Sequence, residues 1–270
     1  MNDRAHPASP RSATADPVLT RTVEGPVATL TLNRARQFNA LSGELLDALH
    51  RELDYLADND SVRVVIVTGA GRAFCSGHDL KEMRASEPGR IEALFASSSA
   101  MMLKLVALPQ PVIAAVNGIA TAAGCQLVAQ CDLAVASENA RFAASGINLG
   151  LFCSTPAVPL SRNISRKRAA EMLFTGDFIE APIALDWGLV NRVVPHERLM
   201  EAARELASNL ASKPREVLAL GKALFYRQLE SGLAAAYDDA SRTIATNMAG
   251  EIAREGVAAF LAKIPPSWRP

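Results

Sequence analysis

The stretch "VRVVIVTG" at residues 62–69 restricts the possible folds of this chain more than any other. Val64 to Val67 form an unbroken run of β-branched aliphatics, whereas a strand with one wet face alternates apolar and polar residues. A run of this kind needs cover on both faces, the condition of a parallel sheet between helices. "PVIAAVNG" (111–118) and "CDLAVAS" (131–137) read the same way, and "PVATLTLNR" (26–34) alternates as a strand with one buried face. Helical patterns separate them. Leu45, Leu49, Leu53 and Leu56 recur at helical spacing behind Ser42, a suitable N-cap, and residues 122–130 fit a short helix. Alternating strands and helices define an α/β domain. After about residue 160 the strand signal fades. From Pro195 the chain reads as helical, with Pro214 in an early turn, a break at Ser231 and Gly232, and a last helix through Phe260.

Composition narrows the function. Lys plus Arg and Asp plus Glu are equal at 28 each, so no electrostatic case arises for nucleic acid or an anionic membrane surface. No apolar run approaches the roughly 20 residues that span a bilayer. Cys75, Cys125, Cys131 and Cys153 form no CxxC pair and have no histidine at a zinc-like spacing, so reduced thiols and no metal site are expected. Residues 1–17 are rich in Pro, Ala and Ser without an apolar signal core, and read as a disordered tail. The expected compartment is the cytoplasm, or the mitochondrial matrix in a eukaryotic host. An organelle leader would fit the Arg and Ser of that tail, and its two Asp speak against one.

"TGAGRAF" (68–74) has Phe74 where a dinucleotide motif needs its third glycine, and no GK[ST] follows for a P-loop. What remains is a loop after a buried strand whose backbone N–H groups can face a ligand. The helix starting near Ala122 offers a second set of free amides at the positive end of its dipole. Two such amides converging make an oxyanion hole, which stabilises charge developing on a carbonyl. Gln126 lies three residues beyond Ala123, on the face that would look into such a site. The competing reading is that Gly118 and Gly124 only permit tight packing. His78 and Asp79 adjoin in the first loop; Asp79 capping the next helix is the plainer account, with His78 as a titratable group within reach of chemistry. Ser154 and Thr155 can cap the following helix, and Cys153 reads as core rather than nucleophile.

Together "LNRARQFNAL", "GAGRAFCSGHDLKEM", "PVIAAVNGIATAAGCQLVAQCDLAVAS", "ARFAASGINLGL", "LFTGDFIEAPIALDWGLVNRVVP" and "GVAAFLAKIPPSW" resemble the crotonase, or enoyl-CoA hydratase/isomerase, superfamily from about residue 18 onward. The resemblance implies a spiral of ββα repeats over residues 18–195. Residues 196–270 would be a helical region that builds trimers, or hexamers from pairs of trimers, and completes the CoA site. It implies an acyl-CoA thioester as ligand, no separate cofactor because coenzyme A belongs to the substrate, and a lyase of fatty acid metabolism that hydrates 2-enoyl-CoA. By position, the oxyanion amides are those of His78 and Ala123. Ser76 lies against the adenine part of CoA, Arg36 and Lys81 near its phosphates, and Phe260 and Lys263 in a neighbouring subunit's CoA site. One departure stands out. Hydratases of this family carry two glutamates, and the matching positions here are Gln126 and Gly146. An amide holds no proton near neutral pH, and glycine is expected to leave only space. The same replacements resemble one branch of the family that lacks both acids. Isomerisation, decarboxylation, thioester cleavage or noncatalytic acyl-CoA binding are the alternatives that follow.

Overall fold

The computed structural model describes residues 16–268; most of the N-terminal segment read as a tail lies outside these. Ten strands fall in two sheets among the described residues. The larger sheet runs β1 (Leu19–Glu24), β2 (Val27–Leu32), β3 (Val64–Gly69), β5 (Val112–Val116), β7 (Leu133–Ser137), β10 (Arg192–Val194) in spatial order. Only β1 is antiparallel to its neighbour; the other pairings are parallel. The smaller sheet joins β4 (Ala73–Cys75), β6 (Ile119–Thr121), β8 (Arg141–Ala143) and β9 (Ile179–Glu180).

β3 behaves as its composition demands. Val65 and Val67 enter one apolar core while Val64 and Ile66 enter another on the opposite face. β5 divides likewise, Val112, Ala114 and Val116 against Ile113 and Ala115. Each fully buried Val or Ile contributes about 1.5–3 kcal/mol relative to exposure. The first core is covered by α1 (Gly43–Ala57), α3 (Pro88–Ala107) and α4 (Ala123–Gln130), while α2 (Leu80–Ala85) buries none of its residues. Ser42 does cap α1, its side chain accepting from the Leu45 N–H.

After α4 come α5 (Ser154–Asn163), α6 (Arg166–Thr175) and α7 (Ala181–Trp187). The second core is closed by α8 (Leu199–Ala211), whose Leu199, Ala202, Ala203 and Ala207 meet the sheet. Three helices follow: α9 (Arg215–Leu229), α10 (Leu233–Ala249) and α11 (Glu251–Ala262). The single last helix expected from the sequence is thus two, divided at Gly250, whose extended backbone cannot continue a helix.

Three times a strand of the large sheet is followed at once by a short strand of the small sheet and then by a helix: β3–β4–α2, β5–β6–α4 and β7–β8–α5. This is the expected spiral of ββα units. The segment 69–83, expected as a loop, contains β4, and β9 and β10 lie beyond residue 160, where no strand signal was legible.

Candidate active site

The site lies where the β4–α2 connection meets the start of α4. Leu41 pairs with His78 as an isolated parallel bridge: the Leu41 N–H donates to the Gly77 carbonyl (2.8 Å), and the Asp79 N–H donates to the Leu41 carbonyl (3.0 Å). These bonds fix the backbone of residues 77–79 against Leu41. On its other side the loop touches α4. A Cβ added to Gly77, itself at φ +95°, would stand 3.0 Å from the Ala122 Cβ and 3.3 Å from the Ala123 nitrogen. A Cβ on Gly124 would stand 2.0 Å from the Cys75 carbonyl oxygen. A Cβ on Gly118 would stand 2.2 Å from the Arg72 carbonyl oxygen, so the tight packing expected of Gly118 and Gly124 is present, and at Gly77 the loop that carries His78 is packed against the start of α4 at Ala123. Among the described residues neither N–H donates to a backbone carbonyl. Both residues line a cavity of about 510 Å³.

Ser76 and Gly146 also line this cavity. Its remaining walls are mostly apolar, including Met83, Ile91 and Phe95 on one side and Leu149, Leu151 and Phe152 on the other. Gln126 does not line it. Gln126 is 4% exposed, one turn into α4, and its Oε1 is buried without a hydrogen-bond partner. The expectation that Gln126 looks into the site is therefore not met: its side chain is buried within the core around α4.

Gly146 does not leave space. A Cβ there would meet the Leu151 carbonyl oxygen at 2.6 Å and the Cys153 Sγ at 2.8 Å. The Gly146 N–H already points at that sulfur, 3.3 Å away. The volume a glutamate stem would need is filled by the following loop, so the second acid is missing and its place is closed. Cys153 occupies the N-cap of α5, and burial pushes its thiol pKa up. Ser154 and Thr155, expected as caps, sit inside α5, and the Ser154 hydroxyl donates to the Phe152 carbonyl at 3.3 Å.

The His78 ring packs edge-on to Phe95 at 4.8 Å, with both ring nitrogens buried and unpartnered. Burial pushes its pKa down to about 4, so the imidazole is neutral near pH 7. Asp79 performs the capping role expected of it, accepting from the N–H groups of Lys81 (3.1 Å) and Glu82 (3.3 Å). It also pairs with Arg34 at 2.9 Å. Burial alone would raise the Asp79 pKa; the Arg34 hydrogen bond and charge and the helix amides together hold it below the usual carboxylate value.

Arg36 and Lys81 are exposed and outside the cavity lining, Lys81 next to Leu80, which lines it. Phe260 and Lys263 end α11; Phe260 is 82% exposed, and neither lines the cavity. Two polar features were missed. Asn39, fully buried at φ 56°, accepts from the Arg34 N–H and donates to the Ala70 and Ala73 carbonyls, so it anchors the strand entering the site. Its polarity next to apolar neighbours in "QFNAL" is the available signal. Lys222, which is buried, and Tyr226, one turn on in the same helix, meet Asp132 from 90 and 94 residues away in the chain, with Lys222 Nζ 2.7 Å and Tyr226 OH 2.7 Å from the carboxylate.

Comparison with known proteins agrees with this architecture. The family model described as enoyl-CoA hydratase/isomerase matches residues 22–270. The chain is 44% identical over 266 residues to rat enoyl-CoA hydratase domain-containing protein 3, mitochondrial, covering 98% of this chain and 88% of the relative. A crystal structure of enoyl-CoA hydratase from Mycobacterium smegmatis superposes with a TM-score of 0.92 at 55% identity, covering 94% and 99% of the two chains. That of human enoyl-CoA hydratase domain-containing protein 3 gives 0.89 at 43%, covering 93% and 100%. Long parallel strands, the ββα spiral and the loop-to-helix junction at Ala123 thus carry one conclusion: this chain belongs to the enoyl-CoA hydratase/isomerase family.

Proposed function

We propose that this protein binds an acyl-CoA thioester with the carbonyl oxygen between the amides of His78 and Ala123, and that it acts on 2-enoyl-CoA through the enolate those amides stabilise. The observation that supports this reading is the close packing of Gly77 on the start of α4, with His78 and Ala123, whose N–H groups have no backbone acceptor, both lining a mostly apolar cavity. An oxyanion donor is worth about 10²–10³ in rate. Ser76, Arg36 and Lys81 would receive the adenine and phosphates of CoA, with Phe260 and Lys263 completing the site of a neighbouring protomer in a trimer or hexamer. Coenzyme A is part of the substrate, and the reading needs no other cofactor. The compartment we assign is the cytoplasm, or the mitochondrial matrix in a eukaryotic host, as the name of the rat relative would suggest.

Hydration also needs proton transfer, worth about 10²–10⁴ in rate. None of the side chains lining the cavity is a carboxylate. The low pKa of His78, a result of burial, makes its imidazole a poor store of protons near pH 7. Those observations favour a second reading, an acyl-CoA binder with little or no turnover. Calorimetric titration with butyryl-CoA and octanoyl-CoA, followed by mass spectrometry after incubation with mixed enoyl- and acyl-CoAs, separates them. Binding with hydrated product supports the enzyme. Binding without any product supports the binder, and no binding excludes both.

A further inference from the structure

The same cavity carries information on the acyl group, an inference that rests on the acyl-CoA reading above. From the two amides the cavity runs between Met83, Ile91 and Phe95 on one side and Leu149 and Phe152 on the other. No Lys, Arg, Asp or Glu lines it. Toward solvent, beside the hydroxyls of Ser154 and Thr155, the apolar lining continues: Leu149 is 63% and Phe152 48% exposed. The patch then extends outside the cavity to Phe174, 68% exposed, whose ring centroid lies 6.1 Å from that of Phe152. A contiguous exposed apolar surface running out of a ligand cavity is a binding surface rather than ordinary exposure.

The volume permits such a chain: at about 30 Å³ for each water-sized group a dozen groups need roughly 360 Å³, and the cavity, which also takes the thioester end, holds about 510 Å³. An acyl group ending in a carboxylate would place that charge against Leu and Phe side chains with no cation to receive it, a costly arrangement.

We propose that the ligand's acyl group is a medium to long, unbranched and uncharged hydrocarbon chain, with its thioester at His78 and Ala123 and its tail leaving over Leu149 and Phe152 toward Phe174. Each methylene transferred from water to such a wall can strengthen binding by up to about fourfold. The open mouth lowers this for the outer carbons.

Calorimetric titration of the full-length protein with butyryl-, octanoyl-, dodecanoyl- and adipyl-CoA tests this. Octanoyl-CoA should bind at least tenfold more tightly than butyryl-CoA, dodecanoyl-CoA at least as tightly as octanoyl-CoA, and adipyl-CoA at least tenfold more weakly than octanoyl-CoA. Leu149→Ser and Phe152→Ser should each lower the ratio of dodecanoyl to butyryl affinity at least threefold. Since both side chains are largely exposed, Leu149 at 63% and Phe152 at 48%, the unliganded variants should melt with the parent. Were either to melt earlier, Phe174→Ser, outside the cavity, would carry the same comparison. Equal affinities along the series, or equal binding of adipyl-CoA and octanoyl-CoA, would overturn the chain assignment while leaving the acyl-CoA reading in place. No binding of any of the four would remove that reading and this inference with it.

Discussion

Ala122 holds φ 48° and ψ −118°, a region that glycine adopts freely and other residues enter at a cost of about 1–3 kcal/mol. It immediately precedes Ala123, which lines the cavity, so the strain sits at the joint on which the proposed function depends. Ala122→Gly should stabilise the fold by about 1 kcal/mol in urea unfolding, as relief of strain outweighs the added freedom of the unfolded chain. Gly146 gives the opposite sign. Gly146→Ala presses a methyl group onto the Leu151 carbonyl and the Cys153 sulfur, and should destabilise by about 1–3 kcal/mol in the same assay. It follows that placing glutamates at 126 and 146 together does not by itself rebuild a hydratase, because the loop at 151–153 must move first.

His78 supplies a pH test at the same scale. Its folded pKa of about 4 lies below the unfolded value of 6.5, so the folded state binds fewer protons between those limits. The stability linked to the neutral ring is present above pH 6.5 and lost as pH falls toward 4, by up to about 3 kcal/mol. His78→Phe should lack that part of the acid limb in denaturation curves taken from pH 7 to pH 4. The residue identities at 78, 123, 126 and 146 were legible in the sequence. What could not be read was the space around them, because a glycine in a sequence does not say what backbone lies against it.

At the level of elements, long strands declared themselves because continuous Val and Ile have only one comfortable setting. β4, β6 and β8 did not, since three residues are too few to show a period, and their partners lie 22 to 46 residues away in the chain. Helix α9 is held by a contact of the same non-local kind. Lys222, the one residue of α9 that is buried, bonds the Leu105 and Gln110 carbonyls as well as Asp132. Burial pushes the lysine pKa down and the carboxylate opposes this, while the buried Tyr226 hydroxyl is pushed up. Removing one member leaves a buried charge uncompensated. Asp132→Ala should therefore cost about 3–5 kcal/mol, with hydrogen exchange in α9 accelerated more than in β3.

At the level of the molecule, the C-terminal helices present Phe225, Leu233, Tyr237, Ile244, Phe260 and Leu261 to solvent in the single chain, each more than half exposed. We expect this face to be covered in the trimer or hexamer of the proposed assembly. Phe260→Asp should shift sedimentation toward smaller species, and acyl-CoA affinity should fall with it if the helix end completes a neighbour's site. Family and fold were legible from ordered motifs over the whole chain, whereas the reaction was not, because the residues that would define it are the ones replaced.

The central claim is that two amides polarise a thioester carbonyl, and isotope-edited infrared spectroscopy reads that bond directly. With octanoyl-CoA labelled with ¹³C at the thioester carbon, the carbonyl stretch should move to lower frequency on binding, as two N–H donors draw charge onto the oxygen. A bound ligand whose carbonyl band stays at its position in water would contradict the account.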